Sequence, residues 1–134
     1  MTRRVEVAIA AGGAVGATIR WAIVGAAGPA AGFPWPVFML NVIGSLALGV
    51  ALARARRTGA TVWWRDGVGI GFCGGLTTFS TFAVEAAELV RDDRSGLAVV
   101  YVLASVVAAL VAVWAGAAAT GLPRAVDDPL EAAP

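Results

Sequence analysis

Residues 71–85, GFCGGLTTFSTFAVE, set a glycine pair, four hydroxyls and the rings of Phe79 and Phe82 inside an apolar segment. Hydroxyl and amide N–H groups can stand in for water around a small anion. Aromatic ring edges, which carry the positive end of the ring quadrupole, can do the same. Gly74–Gly75 weakens the helix, and a break over Gly74–Thr77 would free backbone carbonyls, which are cation ligands. At membrane depth such groups are tolerated where they line a cavity or meet partner protein. The pattern marks a functional site.

Other polar residues join this set. Asn41 and Ser45 share one face of an apolar stretch, and Tyr101 and Ser105 are spaced alike further on. Thr77, Thr81 and Glu85 recur at a spacing that predicts a polar stripe down one helix face. Taken singly, each is more often packing or interhelical glue, since a threonine hydroxyl bonds back to its own helix and a buried amide finds a neighbour. Together they describe a path. No basic residue lies in the central part of any span, so a bulky organic anion finds no counter-charge there; a small ion that exchanges its water for fixed polar groups fits better.

The elements that carry these residues are membrane spans. The chain has 134 residues, 59% hydrophobic and 14% charged, with a mean hydropathy of +0.80, more apolar than a soluble domain of this size can bury. Four apolar segments are each near the ~20 residues that cross a bilayer: 5–27, 35–53, 67–90 and 97–120. They predict an all-α, four-span domain over residues 1–121, with the third helix broken near its middle and a polar tail over 122–134. Arg3-Arg4 ahead of an Ala/Gly-rich run has a signal-like look, but Glu6 interrupts it and the run is too long, so the first segment stays a helix. Trp21, Trp35, Trp63 and Trp64 fall near span borders, and Trp114 does not. Gly12 and Gly16, and Gly67, Gly71 and Gly75, form small-residue faces for close helix packing. Four helices leave no room for an internal pore, so an oligomer is expected.

Arginine placement gives orientation. Arg3, Arg4, Arg54, Arg56, Arg57, Arg65 and Arg124 share one side, and only Arg91 and Arg94 lie on the other, which predicts both termini in the cytoplasm. Enzymes are not supported: there is no histidine, the single Cys73 excludes paired-cysteine metal motifs, and no Lys-Ser/Thr pair follows the glycines as in a phosphate loop.

The chain resembles the Fluc (CrcB) fluoride channels over essentially its whole length. The resemblance is carried by GGAVGATIRW at Gly12–Trp21, LNVIGSLALG at Leu40–Gly49 and GFCGGLTTFSTFAVE at Gly71–Glu85. It implies an antiparallel, dual-topology-type dimer in the bacterial plasma (inner) membrane, with two fluoride pores and a structural sodium ion buried between subunits. Such a channel exports cytoplasmic fluoride passively, down its electrochemical gradient, and lowers fluoride toxicity.

By the same resemblance Phe79 and Phe82 are the phenylalanine box, Asn41 is the pore amide, and Ser80, Thr81 and Glu85 form the polar track and its acidic end. Tyr101 and Ser105 match in spacing. Gly74 and Thr77 would give backbone carbonyls to the sodium, and Arg20 resembles the vestibule arginine of the first helix. One feature departs from the pattern. Homodimers that insert both ways need balanced charge, and this arginine distribution is not balanced, which favours pairing with an oppositely oriented sister chain over self-pairing.

Two other readings compete. A small drug/proton antiporter needs a central carboxylate in its first helix; here Glu6 lies at the helix start and the centre is Gly/Ala/Val. A purely structural subunit explains the glycine faces, but not a helix breaker among clustered hydroxyls at Gly74–Phe82.

Overall fold

The computed structural model describes residues 2–28, 32–58 and 61–120. The polar tail 122–134 with Arg124, and the side chain of Arg57, lie outside the described residues. The chain there is all helical: α1 (Arg3–Ala27), α2 (Trp35–Thr58), a π-helical segment (Trp63–Phe72), α3 (Cys73–Leu76), α4 (Phe79–Arg91) and α5 (Ser95–Ala119). The π segment, α3 and α4 follow one another as a single span, Trp63–Arg91, so four helical stretches are long and apolar enough to cross a membrane. Helix α2 continues past Ala53 through Arg54 and Arg56, and the third span begins at Trp63, ahead of Gly67. Hydropathy stops at the first arginine, whereas the backbone stays helical while the long side chains reach outward.

Glycines set the packing. A Cβ on Gly12 would overlap the Gly67 carbonyl, one on Gly16 the Phe72 carbonyl, and one on Gly71 or Gly75 the α1 backbone at Ile9 or Gly13. The paired small-residue faces therefore bring α1 and the third span into backbone contact. Gly49 and Gly116 do the same for α2 and α5, where an added Cβ would strike the carbonyls of Val113 and Leu46 respectively.

The core is thin. Val37, Leu40, Ala51, Ala53, Tyr101 and Ala112 are buried, while large apolar side chains such as Ile43, Leu103, Leu110 and Trp114 point outward. A surface of this kind suits lipid or a partner chain. A row of aromatic rings ties the start of α2 to α4 and α5. Phe33 contacts Trp35, Phe38 and Tyr101, and Tyr101 contacts Phe82 at 5.1 Å between centroids.

Inside the third span the glycine pair is not where the helix opens. Gly74 and Gly75 are helical in α3, and the extended residues are Thr77 (φ −78°, ψ 154°) and Thr78 (φ −149°, ψ 125°). Gly75 serves backbone approach to α1, while an added Cβ on Gly74 would meet nothing within 4 Å, and the threonines supply hydroxyls that replace ladder bonds. Thr77 consequently lies outside α4, and a continuous Thr77–Thr81–Glu85 stripe on one helix face does not form.

Candidate functional site

The two extended threonines are held from the side. Asn41, on α2, accepts the Thr78 N–H at Oδ1 (2.9 Å) and donates from Nδ2 to the Thr78 carbonyl (3.2 Å). Its amide thus replaces the helical partners that Thr78 lacks. On the other flank Arg20, late in α1, donates from Nη1 to the Thr77 carbonyl at 3.1 Å. The Thr77 hydroxyl bonds back to the Cys73 carbonyl (2.9 Å).

Thr78 is also the N-cap of α4. Its Oγ1 accepts from the Thr81 N–H at 3.2 Å, a standard use of threonine at a helix start. The same oxygen lies 3.1 Å from Thr81 Oγ1 and 3.2 Å from Ser80 Oγ. A run of polar groups therefore leads from the Asn41 amide through Thr78 to Ser80 and Thr81.

Beside this run lies a cavity of about 560 Å³ whose walls include Asn41, Ser45, Gly74, Phe79, Phe82 and Ser105. Phe79 is 80% exposed, and its ring centroid is 5.8 Å from that of the half-buried Phe82. Ser105 Oγ is buried with no hydrogen-bond partner among the described residues. A buried hydroxyl without a partner is costly, and one that faces a cavity suits a polar or ionic guest.

The remaining candidates sit further along. Tyr101 is fully buried behind Phe82 and donates from Oη to Glu85 Oε2 at 2.6 Å. Glu85 and Thr81 face a second space of about 630 Å³ towards Arg91 and Asp92. Thr81 also borders a smaller space, about 330 Å³, with Arg20 and Trp21. The structure thus gathers Asn41, Gly74, Thr77, Phe79, Phe82 and Ser105 round one cavity, with Thr81 and Glu85 leading away on α4. Thr78 carries the arrangement, yet spacing singles it out less than Thr77. Its signal is a threonine directly ahead of the Phe79 helix, the favoured N-cap type.

Four helical stretches long and apolar enough to cross a membrane, with a run of polar groups on the third, define a small multi-pass membrane protein. The sequence model of the CrcB-like protein, Camphor Resistance (CrcB) family matches residues 7–117, and the chain belongs to that family. It is 41% identical over 112 residues to the fluoride-specific ion channel FluC of Novosphingobium aromaticivorans, covering 81% of this chain and 89% of that one. It is 43% identical over 108 residues to FluC 1 of Mycolicibacterium paratuberculosis (79% and 82% covered). Against FluC of Geobacter sulfurreducens the identity is 44% over 112 residues (81% and 90% covered).

Proposed function

We propose that this protein is a fluoride-selective channel, not an enzyme, through which cytoplasmic fluoride leaves the cell passively. The observation that carries the reading is the cavity in which the Asn41 amide, the unpartnered Ser105 hydroxyl and the Phe79–Phe82 rings meet without a basic side chain in the wall. Those donors and ring edges suit a small, strongly hydrated anion that must exchange water for fixed partners. Ser80 and Thr81 extend the track, and Glu85, held by Tyr101, forms its acidic end.

The working unit is an antiparallel dimer. Phe79 is largely exposed on one chain, and Gly74, on the same cavity wall, has open space where a side chain would begin. A second subunit laid over this face would close each path. The arginine bias favours an oppositely oriented sister chain as that subunit, with lipid round the outside, the arginine-rich end and both termini cytoplasmic, and the bacterial inner membrane as location.

Sodium fits the carbonyl-rich face. The Thr78 N–H is directed to Asn41 instead of the Gly74 carbonyl four residues back, and the Thr77 carbonyl belongs to the extended stretch. Neutral backbone oxygens suit a hard cation, and matching carbonyls from a partner would complete its shell. Bound there, sodium supplies fixed positive charge at the subunit contact. Fluoride efflux from liposomes carrying this chain, alone and with an oppositely oriented family member, tests the proposal; loss of selectivity over chloride in both preparations would refute it.

A further inference from the structure

We propose that Arg20 and a ligated cation compete for the Thr77 carbonyl oxygen, which makes the α1 arginine a regulator of the cation site; this rests on the sodium reading above. Arg20 Nη1 already donates to that oxygen at 3.1 Å. Its side chain is half-buried, and among the described residues no carboxylate pairs with it, so its charge is not cancelled locally.

A carbonyl oxygen has two lone pairs and can meet two partners, so geometry does not forbid sharing. Charge opposes it. Two unit positive charges on one oxygen stand about 5 Å apart, and in a partly buried site that repulsion lowers cation affinity on the order of tenfold or more. The relation is reciprocal: a bound cation weakens the Arg20 contact by the same factor.

Arg20 has somewhere to go. The space of about 330 Å³ beside it is lined by Trp21, Val24, Gly25 and Thr81. A guanidinium swung into that space approaches the Thr81 hydroxyl on the polar run and turns its charge to an incoming anion. Cation occupancy would then be coupled to anion attraction through one side chain.

The test uses the full-length protein in detergent, with the thermal unfolding midpoint followed against sodium chloride at constant ionic strength, N-methylglucamine chloride making up the balance. Arg20→Gln and Arg20→Met both remove the charge, and the second keeps the apolar stem in place. Both variants are expected to reach half-maximal stabilisation at about tenfold lower sodium than the parent. A purely structural role would move the midpoint at zero sodium and leave the half-maximal concentration unchanged. Equal sodium dependence in parent and variants overturns the competition while the carbonyl site stands. Absence of any sodium effect in all three overturns the site and the competition together.

Discussion

Asn41 and Thr78 pair as two peptide groups would, with both polar atoms of the amide side chain bonded to the backbone of one residue, at 2.9 and 3.2 Å. The Asn41 carbonyl oxygen is thereby committed, and its Nδ2 keeps one hydrogen for a guest. Asn41→Asp preserves the acceptor but sets a carboxylate against the Thr78 carbonyl. Fluoride efflux should fall below detection, and stability should drop by about 1–3 kcal/mol. Proteoliposome flux and thermal unfolding check this; an Asn41→Asp variant conducting at the parental rate would remove Asn41 from the path.

Tyr101 and Glu85 form the next link, at 2.6 Å. Tyr101→Phe retains the ring that packs on Phe33 and Phe82 and deletes only the hydroxyl. The expected loss is about 1.5–3 kcal/mol, as for a hydrogen bond to a charged group, together with slower efflux as Glu85 loses its anchor. If Glu85→Gln slows efflux equally and the double variant adds nothing further, the pair acts as one unit.

Phe79 offers its ring to the cavity while 80% exposed, so little of one chain's stability depends on it. Phe79→Leu keeps an apolar group and removes the ring edge. Efflux should decrease about threefold to tenfold, the equivalent of about 0.5–1.5 kcal/mol, with unchanged expression. A rate within a factor of two of the parent would assign the anion contact to Phe82 alone.

Two glycines separate packing within a chain from packing between chains. An added Cβ meets nothing within 4 Å at Gly25 or at Gly74. In an isolated chain, alanine at either position should add about 0.5–1 kcal/mol of helix stability. Gly25→Ala should do so. Gly74→Ala should instead lower the dimer fraction in crosslinking, because the open side of Gly74 is where the second subunit is expected. By contrast, Gly16→Val should fail to fold, since its side chain would enter the Phe72 carbonyl and the Leu76 amide.

Sequence patterning carries much of this arrangement. Apolar runs locate four spans, since their length follows from bilayer thickness. The glycine faces at Gly12–Gly16 and Gly67–Gly75 pack where their spacing implies. The opening at Thr77–Thr78 is displaced from the glycine pair, because propensity reports what a glycine permits and not what a neighbouring helix requires of it. Thr78 and Arg20 take their roles from contacts with residues 37 and 57 positions away, which no local pattern encodes. The π winding of Trp63–Phe72 has no counterpart in the apolar pattern either; Gly67 and Gly71 within it lie against the α1 backbone at Ala8 and Ile9.

That winding holds spare length. The Cys73 N–H reaches back five residues to Val68, and each such turn houses more chain than an α turn of the same height. Deleting one residue between Trp63 and Val68 would let the segment tighten into α-helix with residues 71–85 still seated. The same deletion in α1 would rotate every later residue by about 100° and unseat the glycine face. Among descendants of this chain, gaps should collect ahead of the glycines of the third span and be rare within the first.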